Sequence, residues 1–194
     1  MIRRTSRSLG VVTLAIAGTA LLGLPSAMTS AFTFGVDVVA RQVALLADEA
    51  LIMGGTGPCC VTAETPWSVP GPPYTTTVDQ LFIAPNHPGY TPIGLATPEQ
   101  LAPITGLDSE TFGLSLQQGT NALGAAIKKA IGAGDNVVPF GYSQSATIET
   151  LELDRLAALP ADERPSPDQL AFVMIGDGNN PDGGLLERFV GAYI

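Results

Sequence analysis

Short apolar runs alternate along this chain with longer segments in which apolar residues recur every three or four positions. Each apolar run ends in glycine or in a polar turn, which is the pattern of a buried strand, whereas the wider spacing is typical of one face of a helix. The predicted strands lie at 50–53, 136–140 and 169–175, with a further short strand at 80–84. Helices are predicted over 35–50, 109–131 and 145–159.

The order of these elements predicts the fold class. Strand, irregular segment, helix, strand, helix and strand follow one another, and such alternation is typical of an α/β protein with a mostly parallel sheet and helices on both faces. Groups that follow the strands of a parallel sheet gather at one edge of it. We therefore expect Gly54–Gly57, Ser143 and Asp177, each of which follows a predicted strand, to share that edge.

Prolines are concentrated where the pattern is weakest. Segment 58–105 holds ten of the sixteen prolines, so we expect little helix there and an ordered loop that covers the sheet. Pro139 lies inside the strand that is predicted to be central, although proline lacks the N–H that a strand ladder uses.

The N-terminus has the layout of a targeting segment. A basic head at residues 1–7 precedes the uncharged stretch 8–36, whose apolar part is Leu9–Leu24. This layout predicts a secretory signal peptide over residues 1–31 or, as the alternative, a retained membrane anchor, with the folded domain at 32–194. We expect an exported protein that is secreted or held in the cell envelope.

Charge and cysteine content exclude several kinds of partner. The net charge is −9 and no basic cluster follows the N-terminal head, so a nucleic-acid partner is not expected. The two cysteines, Cys59 and Cys60, are adjacent and have no histidine near them in sequence, so no metal site is predicted. The chain carries no nucleotide or other cofactor signature, and its oligomeric state stays open.

The candidate chemistry lies in the pentapeptide from Gly141 to Ser145. A serine between a strand and a helix in a G-x-S-x-S pattern indicates a sharp turn that exposes Ser143 as a nucleophile, although a serine there can also be an ordinary helix cap. Ser145 occupies a position that glycine fits more fully. The amide of Gln144 is a candidate oxyanion donor, and the loop after the first strand offers a second donor at Gly55 or Thr56.

Three separated segments resemble the mycobacterial PE-PPE domain, a serine α/β-hydrolase family related to cutinases. They read IMGGTG at 52–57, FGYSQSATIETLE at 140–152 and FVMIGDGNNPDGG at 172–184. The resemblance implies that Ser143 is the nucleophile and that the activity is that of an esterase or lipase on acyl esters. Some members with an N-terminal hydrophobic segment instead transfer acyl chains to trehalose glycolipids of the cell envelope.

The sequence departs from the family pattern in its acid and base. The family's triad places an acid and then a histidine after the serine, but no histidine follows Ser143, and the one histidine is His87. Asp177 is the best carboxylate after the serine, with a turn residue as its alternative role. We expect the N-terminal portion of a longer domain, with an incomplete sheet and weak or absent activity. A non-catalytic envelope or lipid-binding protein is the competing interpretation.

Overall fold

The computed structural model describes residues 48–57 and 67–188 of the chain, which form strands and helices in alternation. The strands are β1 (Glu49–Ile52), β2 (Thr91–Gly94), β3 (Val137–Tyr142) and β4 (Val173–Ile175). The helices are α1 (Pro72–Val78), α2 (Phe112–Ala133) and α3 (Gln144–Ala157). A π-helical turn (Asp79–Ile83) continues α1, and a short 3₁₀ turn (Leu186–Arg188) follows β4.

The strands form one parallel sheet in the order β2-β1-β3-β4. β1 pairs with β2 and with β3, and β3 pairs with β4, each time in parallel. The expected α/β class with a parallel sheet is therefore confirmed. Because all four strands run the same way, their carboxyl ends meet at one edge of the sheet, the edge at which the site lies.

Alternate residues of β1 and its extension face opposite sides of the sheet. Leu51 and Met53 pack with buried residues of α2 and α3, while Ala50 and Ile52 pack on the side of α1 and the π-helical turn. Helices thus cover both faces, as the sequence predicts. The other buried members are Leu116, Leu123, Ile127, Ala130, Val137 and Ile148 on the first face, and Val78, Ile83, Val138 and Phe140 on the second.

The two long helices agree closely with the sequence pattern. The hydroxyl of Thr111 caps α2 by accepting from the Leu114 N–H, and Gly134 ends it in the left-handed conformation, with φ of 97°. Within the described residues, no helix combines the length and the apolarity that crossing a bilayer requires. The predicted targeting segment and both cysteines lie outside the described residues.

Two predictions for the first half of the chain, the strand at 80–84 and the end of the helix over 35–50, are wrong in detail. Residues 80–84 are not a strand, since the π-helical turn occupies 80–83 and Ala84 caps it. Helix α1 begins at Pro72 within the proline-rich segment. Proline is accepted at the first helical positions because its missing N–H has no partner there. Strand β2 has no sequence prediction. The predicted end of the helix over 35–50 is wrong, because residues 49 and 50 belong to β1. The rest of that prediction, residues 35–47, lies outside the described residues.

Pro139 explains why the last strand is shorter than the predicted 169–175. The backbone N–H and C=O groups of residues 137, 139 and 141 in β3 point toward β4. Val137 donates its N–H to the carbonyl of Gln169, and its carbonyl accepts from the Ala171 N–H. The next ladder bond would run from position 139 to the carbonyl of Ala171, and proline cannot donate it. Regular pairing resumes only at Phe140 with Val173.

Candidate active site

Ser143 lies on a sharp turn between β3 and α3. Its φ of 57° and ψ of −113° are unusual for a residue with a side chain, so the backbone is strained there. The Ser143 N–H donates to the carbonyl of Ile175 at 2.9 Å, and the Ser143 carbonyl accepts from Ala146 at 3.1 Å. These bonds hold the strained turn in place from both sides.

The turn closes only because Gly141 has no side chain. A Cβ at this position would lie 2.6 Å from the carbonyl oxygen of Ser145 and 2.7 Å from the amide nitrogen of Ala146. Both atoms belong to the backbone of α3 and cannot move aside without breaking the helix. Strand and helix therefore approach closely enough to raise Ser143 above the sheet edge.

Ser145 has a structural use that the sequence did not indicate. Its side chain is fully buried, and its hydroxyl donates to the carbonyl of Gly54 while accepting from the Tyr142 N–H at 2.8 Å. The residue that fills the second glycine position of the motif thus ties the turn to the loop after β1.

The side chain of Gln144 connects three neighbouring segments. Its Nε2 donates to the carbonyl of Gln100 and to Oγ of Ser115, both at 3.0 Å, and its Oε1 accepts from the Thr56 hydroxyl at 2.9 Å. The side-chain amide of Gln144 is thus engaged, so the candidate oxyanion donor at this position is the backbone N–H. The first N–H groups of a helix have no intrahelical partner. The Thr56 side chain is held at the start of α3 by this contact.

The glycine loop and the serine turn meet at the same edge of the sheet, as expected. Met53 donates to the carbonyl of Phe140 at 3.0 Å, which places the loop after β1 beside the end of β3. A Cβ at Gly55 would lie 2.8 Å from Cδ1 of Tyr142, so only glycine fits against that ring. The structure thus brings Gly55 and Thr56 to the serine turn.

An apolar cleft opens beside Ser143. A cavity of about 500 Å³ is lined by Ser143, Thr56 and the start of α3 on its polar side. Ile104 and Leu185, two of the apolar lining residues, are largely exposed at 76% and 65%. The remaining apolar side chains of the lining are Leu101, Phe112 and Leu186.

Asp177 faces α3. Its Oδ2 accepts from the Thr150 hydroxyl at 2.8 Å, and its Oδ1 accepts from the Asn179 N–H at 2.9 Å in a local turn. Thr150 is seven residues after Ser143, which is about 10 Å along a helix. Burial, and secondarily the charge of Asp177, raise the pKa of Glu149 well above its ordinary value.

His87 lies at the opposite edge of the sheet. It precedes β2 and contacts the ring of Tyr90 edge-on, with centroids 5.5 Å apart. β2 begins beside Glu49, at the amino end of β1. Because a strand of four to six residues is about 13–20 Å long, the fold does not bring His87 to Ser143.

Sequence reasoning missed Glu99. This residue is fully buried and has a left-handed φ of 52°. Its Oε1 accepts from the Gly54 N–H at 2.7 Å and from the Thr97 hydroxyl at 2.8 Å. Burial raises the pKa of Glu99 to about 7, although both hydrogen bonds oppose the shift. Nothing in its sequence context distinguishes it from a solvated loop carboxylate.

Comparison with known proteins identifies relatives of this chain. Residues 88–194 match the PE-PPE domain. The chain is 45% identical over 147 residues to a Mycobacterium tuberculosis protein named Esterase PE16, an alignment that covers 75% of this chain and 26% of that protein. It is 46% identical over 140 residues to the uncharacterized PPE family protein PPE42 of M. tuberculosis. That alignment covers 72% of this chain and 23% of the relative.

A third relative carries a different activity in its name. The M. tuberculosis protein named SL1278 acyltransferase Chp1 is 41% identical over 83 residues, which is 43% of this chain and 19% of that protein.

The chain spans about a quarter of the length of Esterase PE16 and PPE42. The family match covers more than half of the chain and includes the serine turn, Asp177 and every lining residue of the cleft except Thr56. The chain therefore belongs to the PE-PPE domain family.

Proposed function

We propose that this protein is an exported serine esterase that acts on acyl esters with Ser143 as its nucleophile. The observation that carries the proposal is the strained turn that holds Ser143 at the mouth of an apolar cleft, beside Thr56. The similarity to a protein named Esterase PE16 supports the same reaction class. The basic head and apolar run of residues 1–31 support export, which fractionation of the expressing cells tests.

The geometry suits formation of an acyl-enzyme. The Ser143 oxygen attacks the ester carbonyl, and the negative charge that develops on the carbonyl oxygen is stabilised by N–H groups. The amide of Gln144 and those of the Gly55–Thr56 segment are the candidate donors. The alcohol then leaves with the proton that Ser143 has lost to a base, and water hydrolyses the acyl-serine, which releases the acid and restores the Ser143 hydroxyl.

The proton of Ser143 needs an acceptor that the described residues do not supply. No histidine occurs in 144–194, and His87 belongs to the other edge of the sheet. A positioned general base contributes about 10²–10⁴ in rate, so a chain of this sequence is expected to turn over slowly. A small diffusible base that enters the open cleft should replace part of that loss.

We therefore expect imidazole to accelerate ester hydrolysis by this chain through Ser143. Hydrolysis of p-nitrophenyl acyl esters by the purified chain should be slow and should rise about tenfold in imidazole, after the rate of imidazole with the ester alone is subtracted. This protein-dependent rate should vanish in Ser143→Ala. Ser166→Ala, which alters an exposed serine outside the cleft, is the matched control and should behave like the unaltered chain. Equal rates for Ser143→Ala and the unaltered chain, with and without imidazole, would favour the non-catalytic lipid-binding alternative.

The cleft also predicts a preference for longer acyl chains. Ile104 lines the cavity and is largely exposed, so Ile104→Asp should lower kcat/KM for octanoyl esters about tenfold while leaving acetyl esters nearly unchanged. Leu81, similarly exposed at 62% but on the π-helical turn, is the matched control, and Leu81→Asp should change neither rate. A uniform loss on both esters after Ile104→Asp would show that the cleft does not bind the acyl chain.

Acyl transfer is the alternative that a specific finding favours. The partial similarity to a protein named SL1278 acyltransferase Chp1, together with the family resemblance, supports transfer of the acyl group from Ser143 to a sugar of a trehalose-type glycolipid. Both reactions share the acyl-enzyme and differ only in the hydroxyl that resolves it. Adding trehalose to the ester assay and analysing the products separates them, because only transfer yields acyl-trehalose.

A further inference from the structure

We propose that Glu99 is a positioning residue that, together with Ser145, fixes the two peptide planes of Gly54 and so holds the loop after β1, which carries Gly55 and Thr56, against the serine turn. The contacts that carry this inference do not depend on the reaction. The catalytic consequence rests on the proposed esterase function.

Both polar backbone atoms of Gly54 are bound by side chains from distant segments. Its N–H donates to Oε1 of Glu99 at 2.7 Å, and its carbonyl accepts from the hydroxyl of Ser145. The partners lie 45 and 91 residues away in sequence, one in the loop after β2 and the other at the start of α3. A glycine held in this way cannot rotate without breaking one of two buried bonds.

Two successive peptide planes are fixed by these bonds. The Gly54 N–H belongs to the plane that joins Met53 to Gly54, and the Gly54 carbonyl belongs to the plane that joins Gly54 to Gly55. Because a trans peptide is planar, its N–H points away from its carbonyl. The Ser145 contact therefore fixes the Gly55 N–H in a direction away from Ser145, and Glu99 fixes the plane before it.

Glu99 adopts costly local geometry to make its contact. It has a left-handed φ of 52°, is fully buried, and its Oε2 has no hydrogen-bond partner among residues 48–57 and 67–188. Strain and desolvation of this kind persist only where the surrounding structure enforces them, and they concentrate at functional sites. The residue that it binds directly precedes the candidate oxyanion donors, which favours a positioning role over simple burial of an amide.

The contact should also change with protonation. The groups that face the Glu99 carboxyl are the Gly54 N–H and the Thr97 hydroxyl, and no charged side chain among the described residues contributes to its shifted pKa of about 7. An ionised carboxylate accepts a shorter and stronger hydrogen bond than a protonated one. The amide of Gly54 should therefore report the charge of Glu99 directly.

The test follows the Gly54 and Gly55 amide resonances of the full chain by NMR between pH 5.5 and 8.5. We expect the Gly54 proton to titrate with a midpoint near 7, to be flat in Glu99→Gln, and to titrate normally in Glu163→Gln, a control that alters an exposed carboxylate. In Ser145→Ala, the Gly55 amide should shift more than the Gly54 amide. A flat Gly54 resonance in the unaltered chain, or one that still titrates in Glu99→Gln, overturns the inference.

A kinetic arm distinguishes positioning from a merely structural role. We expect Glu99→Gln to lower the Ser143-dependent kcat about tenfold with less than twofold change in KM, because the acyl cleft is untouched. An unchanged kcat despite a shifted Gly54 amide overturns the positioning role. If Ser143→Ala abolishes no turnover at all, the proposed esterase function fails, while the NMR titration still decides whether Glu99 and Ser145 hold the loop.

Discussion

Replacing Gly141 with alanine should destabilise the protein by about 3 kcal/mol or more, a large part of the stability of a typical domain. The added Cβ would lie 2.6–2.7 Å from three backbone atoms of Ser145 and Ala146. These atoms carry the first turn of α3, so relief of the clash requires strand and helix to separate. Urea unfolding followed by circular dichroism measures the change, and the Ser143 turn should be lost with it.

Gly132→Ala is the matched control for that experiment. Gly132 lies within α2, and a Cβ there meets no atom within 4 Å. Because alanine favours helix over glycine, this change should leave stability unchanged or raise it by up to about 1 kcal/mol. If both variants unfold at the same urea concentration, β3 and α3 are not in close contact at position 141 and the sharp turn is not present.

The elements around the serine turn could be predicted because their signals are local. The apolar runs at 50–53 and 136–140 and the helical spacing at 109–131 each specify their own structure, and the observed β1, β3 and α2 follow them closely. The same holds for the turn, since Gly141 and Ser143, only two positions apart, define its conformation. The expectation that the glycine loop meets this turn needs only the rule for parallel sheets, and it is confirmed by the pairing of β1 with β3.

The errors come from features that depend on distant partners. Proline dominates 58–105, yet Pro72 and Pro73 occupy the first positions of α1, where the helix tolerates them. β2 carries Pro92 and is only four residues long, so it depends on β1 for its structure. The shortening of the last strand reflects Pro139 on its neighbour. No local pattern contains this information.

The contacts that organise the site are likewise long-range. From the sequence, Glu99 resembles any solvated loop carboxylate, but the fold buries it against the Gly54 N–H. Ser145 likewise looks like a poor substitute for glycine, but its hydroxyl donates to the Gly54 carbonyl. The sequence indicates the candidate nucleophile Ser143 and its neighbours, whereas the side chains that orient them become visible only in three dimensions. The sequence indicates Asp177 as the best carboxylate after the serine, and the structure adds that Thr150 and Asn179 donate hydrogen bonds to it.

Replacing Glu149 with leucine should stabilise the protein, and more at pH 8 than at pH 5. Glu149 is fully buried on α3, and neither of its carboxyl oxygens has a hydrogen-bond partner within the part of the chain that the structure describes. Burial and the charge of Asp177 raise its pKa, so the folded state holds the proton more tightly than the unfolded state. The penalty that comes from ionising Glu149 is therefore absent below the unfolded pKa of about 4.5, and it grows as the pH rises toward the folded pKa.

At pH 8 the gain from Glu149→Leu should be about 2–4 kcal/mol, which urea unfolding at several pH values measures. Glu99, with its pKa of about 7, adds a penalty of the same sign that grows between about pH 4.5 and 7, so part of the pH dependence should remain in the variant.

Glu152, equally buried three residues later on the same helix, is the matched control because Arg155 pairs with it at 2.5 Å. Glu152→Leu should not stabilise the protein, since it removes a carboxylate that is already paired and leaves the half-exposed Arg155 without its partner. No gain for Glu149→Leu at pH 8 would mean that Glu149 has a partner in solution, and equal gains for both variants would mean that the missing partner of Glu149 is not what destabilises the protein.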